Sequence, residues 1–294
     1  MNYDGSIVKS IDIITPFLNG SRYLDVFLNS LAELKCPDGV VVNSYIIDNG
    51  SDDHSADMLD AYPSRLLNGV NLHPLYFDQI KSSYAARNFG VRASSSDLLL
   101  FTDIDCKPDV NWLLECLRNI EFNAIYSGKV SFFCESNSCF EKTSGIFDSN
   151  YFLRNDLNAK NTTGVTANAF MLRSTFEHIG YFDEITSGGD HAYFVRAKKA
   201  CVKFRYIDSA IVEHPTRTFN ELVIKLERIS QGVKESDQHI FKSKELLKIV
   251  FNPILFRLIR VGSFHRIGVR YSLTLILIST ILNFKYRRFL ISSH

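Results

Sequence analysis

The hydrophobic positions of this chain change period repeatedly. Four short apolar runs read as strands: SIDIIT (10–15), VVNSYIID (41–48), NLHPLYF (71–77) and DLLLFTDID (97–105). Between them, apolar residues at helical spacing predict helices near 22–34, 53–61, 82–94 and 109–121. That alternation predicts an α/β protein with a mostly parallel sheet covered by helices on both faces. Sheets of this kind bind ligands beyond the carboxyl ends of their strands. Three predicted strands end in polar clusters, Thr15 to Asn19, Asp48 to Asp53 and Asp103 to Asp105, which should meet at one edge.

The second half is less regular. Residues 124–133 continue as a strand, whereas 134–163 are polar and turn-rich. TGVTANAFMLRS (163–174) is extended, a short helix follows, and a further helix runs from about 190 to 200 before short strands near 203–213. No repeat interrupts the chain and no linker precedes residue 240. The expected organisation is one domain over 1–240, with a cosubstrate half to about 130 and an acceptor half over 131–240, followed by a helical tail over 241–294.

Charge sharpens the picture of that tail. Residues 241–294 hold ten Lys or Arg against one acidic residue, a net of +9, which leaves −8 for residues 1–240. The longest uncharged stretch there, Tyr271 to Phe284, has 14 residues, whereas a membrane-spanning helix needs about 20. Basic C-terminal amphipathic helices lying at a membrane surface fit this pattern, with Arg257, Arg260, Arg266, Arg270, Arg287 and Arg288 on anionic headgroups. The alternative is two helices packed on the domain or on a partner subunit. Basic residues confined to an apolar tail argue against nucleic acid as a partner.

Six cysteines form neither a CxxC pair nor an even ladder, so isolated buried thiols in a reducing compartment are expected. MNYDGSIVKSIDIITPF carries acidic residues and no apolar stretch of signal-peptide length. The expected location is therefore cytoplasmic, peripheral at the inner face of the plasma membrane. Asn-X-Ser/Thr triplets at Asn19, Asn49 and Asn161 then read as chance matches.

The stretch LLLFTDIDCKP ends a buried run on two carboxylates. Side chains two apart on a strand share a face, so Asp103 and Asp105 address one ligand, and a hard divalent cation relieves their repulsion. The plainer alternative is a strand-end turn that caps a helix. Neither G-x-G-x-x-G nor G-x-x-x-x-G-K-[ST] is present, which argues against dinucleotide enzymes and P-loop NTPases.

In this setting, DLLLFTDIDCKPDVNWL resembles the DxD region of family 2 glycosyltransferases, whose fold is GT-A, a Rossmann-like sheet flanked by helices. SYAARNFGVRASSSD is similar to that family's A-R-N-x-G segment, and YIIDNGSDDHSAD to its D-[DN]-G-S-x-D segment. IDIITPFLNG resembles the opening strand, TANAFMLRSTFEHIGYFDE the acceptor-side segment, GGDHAYFVRAKKA the Glu-Asp helix start, and AIVEH the closing strand. The segments follow the family's order over about residues 10–230.

The resemblance implies metal-dependent, inverting transfer of a sugar from a nucleotide-diphosphate sugar, a UDP-sugar first among them. The acceptor it implies is a hydroxyl of a glycan or polyprenyl-linked acceptor in surface polysaccharide biosynthesis. Thr15 and Asn19 would line the base pocket, with helix capping by Asn19 and Ser21 as the alternative. Asp48 would accept from the base, while Ser51 and Asp53 cap the next helix. Arg87 would clamp the nucleotide or orient Asp48, a surface salt bridge being the alternative. Asp103 would hold the ribose or a metal-bound water, and Asp105 the Mn²⁺ or Mg²⁺. His214 is a further metal ligand or a structural histidine.

Asp190 would be the general base, with helix capping as its competing role, and Arg196 would assist the phosphates or pair with an acid. The chain departs from the family pattern at Gly189, where Glu usually precedes the Asp. That departure keeps a non-catalytic sugar-nucleotide binder or scaffold of the same fold as an alternative. A nucleotidyltransferase, which shares the nucleotide half, is a third reading.

Overall fold

The computed structural model describes residues 7–62, 68–118, 120–158 and 162–235, together with 278, 280–282 and 285. The first part alternates strand and helix: β1 (Ser10–Phe17), α1 (Ser21–Ala32), β2 (Val41–Asp48), α2 (Ser55–Ala61), β3 (Val70–Tyr76), α3 (Ser83–Ala93) and β4 (Leu98–Thr102). Then come β5 (Lys107–Pro108), α4 (Trp112–Leu117), β6 (Ala124–Phe133), α5 (Cys139–Tyr151), α6 (Asn155–Asn158) and β7 (Asn168–Leu172). The series closes with α7 (Arg173–Ile179), α8 (Gly189–Lys199), β8 (Lys203–Pro215) and α9 (Phe219–Glu235).

Eight strands form one sheet in the order β3-β2-β1-β4-β7-β6-β8-β5. Strands β3, β2, β1 and β4 are parallel, as their α-helical crossovers require. Strand β7 joins β4 antiparallel, and β6 joins β7 antiparallel. The parallel expectation thus describes β1 to β4, and reversal of direction begins where β7 enters the sheet. Phe17, Asp48 and Tyr76 stand in register at one edge, so three strands end together there.

Strand β4 anchors this edge. Leu98, Leu99, Leu100 and Phe101 are fully buried, and each such side chain contributes roughly 1.5–3 kcal/mol by leaving water. The strand stops at Thr102, because the Cys106 N–H donates to the Asp103 carbonyl at 3.0 Å and closes a turn. Asp103 and Asp105 therefore stand on that turn, and the expectation that strand alternation puts them on one face does not hold. Helix α3 can approach the sheet closely because a Cβ on Gly90 would come within 2.9 Å of Ile47 and 3.1 Å of Ile14. Ser82 starts this helix, its hydroxyl accepting from the Tyr84 and Ala85 N–H groups.

At the opposite end of β1, Asp12 is completely buried and collects four donors. Ser96 gives its N–H at 2.8 Å and its hydroxyl at 2.6 Å, Asn43 its amide at 2.9 Å and Arg173 its guanidinium at 3.2 Å. This network ties the start of α7 to the parallel strands.

The chain divides into two compact units. The first comprises residues up to Ser131, Leu153–Glu184 and Gly189–His214; the second comprises Phe132–Phe152, Ile185–Gly188 and the chain from Pro215. In the second unit the turn-rich stretch after β6 is helical in α5. Its polar residues are absorbed within the helix, Thr143 and Ser144 donating back to the Cys139 and Phe140 carbonyls. Helix α9 opens on a reciprocal capping box that the sequence reading passed over: the Thr218 N–H donates to Glu221 at 2.7 Å and the Glu221 N–H to the Thr218 hydroxyl at 3.3 Å. The short strands expected near 203–213 are one strand, β8.

The expectation of amphipathic helices over 241–294 falls almost entirely outside the described residues. Those that are described are helical. Ile278 and Leu282, four residues apart, are buried with Phe147 and Leu222, which is inward packing on the same unit. Among the described residues no helix is long and apolar enough to cross a membrane. All six cysteines are free, but only Cys106 and Cys116 are buried, while Cys134 and Cys201 are exposed. The expectation of uniformly buried thiols is corrected accordingly.

Candidate functional site

The turn after β4 carries the centre of the site. Arg87 projects from α3 and pairs through its Nη2 with Asp103 Oδ1, while its Nη1 donates to the Ser83 carbonyl at 3.3 Å. Arg87 is only 3% exposed, so it makes no surface salt bridge. It orients Asp103 rather than Asp48. Two residues further along the turn, Asp105 Oδ2 lies 3.2 Å from Nε2 of His214, a histidine 1% exposed near the end of β8. Residues far apart in sequence thus bring two carboxylates, a guanidinium and an imidazole to one turn.

Neighbouring ligands of an octahedral Mg²⁺ or Mn²⁺ at about 2.1 Å stand about 3 Å apart, and the Asp105–His214 separation matches that spacing. Among the described residues no three His, Cys, Asp or Glu side chains group around one point, since Asp103 is turned to Arg87. Burial first, then the charges of Asp105 and Asp103, push the Cys106 thiol well above the ordinary range. A hard cation would find oxygen and imidazole here, not thiolate.

The loop after β2 forms a second side of the edge. Asp48 is buried, and its Oδ1 accepts from the Ser51 N–H at 2.9 Å and the Ser51 hydroxyl at 2.6 Å. Its Oδ2 takes no hydrogen bond among the described residues. Asn19 is exposed in a left-handed conformation, φ 55°, one that Asn tolerates. Its backbone N–H donates to the Ser51 hydroxyl at 2.8 Å, and its side-chain oxygen accepts from the Asp52 N–H at 2.9 Å. Asn19 therefore braces the Asp48 loop and caps no helix. Ser21 does not cap α1 either: its N–H donates to Asp53.

Asp53 lies one residue before His54, the N-cap position of α2, and caps that helix only indirectly. It accepts from the N–H and the hydroxyl of Ser55 at the start of α2.

Two expected residues stand elsewhere. Thr15 is fully buried in β1, between β2 and β4, and its hydroxyl has no hydrogen-bond partner among the described residues. A central strand seals it behind the edge, so it does not line an open base pocket. Arg196 on α8 follows the acid-pairing alternative, bonding Asp183 Oδ1 at 2.8 Å and the Tyr181 carbonyl.

Asp190 lies in the first turn of α8, half-buried. Its Oδ1 accepts from the His191 N–H at 2.8 Å and from the Tyr84 hydroxyl at 3.2 Å. The helix is seated by an aromatic cluster in which Phe182 lies 4.3 Å from Tyr193 and 5.4 Å from Phe101 between ring centroids. Asn88 clamps the approach to α8, accepting from the Phe182 N–H and donating to its carbonyl and to Glu184. Sequence reasoning gave Asn88 no role and missed Tyr84 entirely. Tyr84 precedes Arg87 by three residues, which puts both on one helix face, and that spacing was the available signal.

Comparison with known proteins agrees with this geometry. A family model described as glycosyl transferase family 2 matches residues 12–180, more than half of the chain. The chain belongs to that family, and it is a glycosyltransferase. The glycosyltransferase AglE of Haloferax volcanii is 27% identical over 230 residues, spanning 77% of this chain and 74% of that protein. The mannosyltransferase PcManGT of Pyrobaculum calidifontis, solved with GDP-Man and Mn²⁺, superposes with a TM-score of 0.63 at 13% identity, covering 98% of this chain and 88% of that one. S. aureus TarS 1–349 in complex with UDP-GlcNAc gives a TM-score of 0.53 at 14% identity, covering 96% of this chain and 91% of that one. These likenesses show the GT-A fold expected from the sequence, and family membership sets the nucleotidyltransferase reading aside.

Proposed function

We propose that this chain transfers a sugar from a nucleotide-diphosphate sugar, a UDP-sugar first among them, to a hydroxyl of a glycan or polyprenyl-linked acceptor, with inversion, as a step in surface polysaccharide biosynthesis. The observation that carries the reading is the pair of contacts on one turn, Arg87–Asp103 and Asp105–His214, at the carboxyl end of β4. The solved relatives bound to GDP-Man and UDP-GlcNAc support the donor class.

In this reading the open Oδ2 of Asp48 accepts from the base, on a loop braced by Asn19 and Ser51. Asp103, held by Arg87, takes the ribose. Asp105 and His214 would hold Mn²⁺ or Mg²⁺, and the cation when bound supplies positive charge against the departing diphosphate. Asp190 takes the proton of the acceptor hydroxyl as that oxygen bonds to the anomeric carbon. The bond from that carbon to the phosphate oxygen breaks on the opposite face, and the electron pair leaves with the nucleoside diphosphate.

The +9 charge of residues 241–294 supports an acceptor presented at the inner face of a membrane, to which the chain binds peripherally. Identification of the released product tests the reading directly. A nucleoside diphosphate released from the donor, with release lost in Asp190→Asn while UDP still binds, is the expected result. Full transfer by Asp190→Asn would remove the base assignment, and the absence of any donor turnover would favour a binder of the same fold.

A further inference from the structure

We infer that Tyr84 is the positioning residue for Asp190, and that Gly189 is the residue that lets it reach. The inference rests on Asp190 being the base. The Tyr84 hydroxyl and the His191 N–H both bond Asp190 Oδ1, and among the described residues Oδ2 receives no hydrogen bond. The carboxylate is thus held by one oxygen and leaves the other for the acceptor proton.

The Tyr84 ring occupies the space in front of Gly189. A Cβ at that position would lie 2.8 Å from the ring's Cγ and Cδ2 and 2.9 Å from its Cε2. A Glu there, as the family pattern expects, would displace the ring and with it the phenol donor. The same ring lies under Arg87, whose Cζ is 5.6 Å from its centroid. Tyr84 therefore joins the Arg87–Asp103 pair to Asp190 through one rigid group. Its backbone is fixed by the Ser82 cap and its ring by Phe182, 6.0 Å away between centroids.

Tyr84→Phe keeps the ring and removes only the donor, so the fold is preserved. The full-length chain is assayed with UDP-GlcNAc and with GDP-mannose, each with Mn²⁺, for release of the nucleoside diphosphate as the sugar passes to water or acceptor. Tyr84→Phe is expected to lower kcat about tenfold, the size of one hydrogen bond to a charged group, with donor KM and thermal midpoint unchanged. Asp190→Asn is run beside it. A wild-type rate for Tyr84→Phe with an inactive Asp190→Asn overturns the positioning role and leaves the base standing. A wild-type rate for Asp190→Asn overturns the base and this inference with it. A loss in Tyr84→Phe that appears in KM or in the midpoint makes the tyrosine structural only.

Discussion

Arg87 and Asp103 form an ion pair in which the cation is buried, at 3% exposure, and the carboxylate is open, at 31%. The asymmetry assigns different costs to the two partners. Asp103→Asn strips the charge from the open member and leaves a guanidinium uncompensated inside the protein, at a cost of about 2 kcal/mol once partial solvent screening is allowed for. Urea unfolding should show that loss, and a midpoint equal to wild type would mean the pair adds nothing to the fold.

The Asp105–His214 contact makes a prediction about metal. Asp105→Ala and His214→Ala should each weaken Mn²⁺ binding in the presence of UDP by at least ~10-fold. Isothermal titration reads this without turnover. Unchanged Mn²⁺ affinity in both variants would make His214 a structural partner of Asp105 and nothing more.

Asp12 should behave in the opposite way. It sits about 16 Å along β1 from Phe17 at the site edge, and Asp12→Ala leaves Arg173 and the Ser96 N–H without their buried acceptor. The expected cost is about 3–5 kcal/mol of stability. UDP affinity of the folded fraction should match wild type, and a large change in that affinity would contradict the separation of the two ends of the strand.

Asp53 gives a pH prediction. Some burial opposes its ionisation, but hydrogen bonds from Ser55 and Ser21 outweigh that and hold its carboxyl at about 2, below the ordinary 3.8. A depressed value means that folding favours the charged form. Its contribution is therefore complete above pH 3.8 and fades as pH falls from there through about 2. The stability gap between wild type and Asp53→Asn in urea should be constant from pH 7 to 5 and begin to close only below 4. A gap that closes between pH 7 and 5 would refute the assignment.

The parallel strands and the turn at Asp103 and Asp105 were legible because apolar runs and the polar clusters ending them are local signals. What the sequence concealed depends on contacts between distant residues. The β4 strand ends three residues before the end of the expected run, since a single N–H from Cys106 to Asp103 decides it. Helix α5 was hidden because its Thr and Ser residues satisfy themselves within the helix. Thr15 looked like a pocket residue until both flanking strands were known. Tyr84 gained its role only when α8 brought Gly189 and Asp190 against it.

The first compact unit is assembled from three separate stretches of chain, and its pairing of Asp105 with His214 spans 109 residues. On a translating ribosome adding about 5–20 residues per second, the carboxylate precedes its imidazole by roughly 5–20 s. During that interval the parallel strands have all been made, yet Asp105 lacks its buried partner and the last sheet neighbours are missing. A nascent chain released before residue 214 would carry the parallel strands without the Asp105–His214 contact. The order of synthesis alone therefore withholds that contact until nearly the whole first unit has emerged.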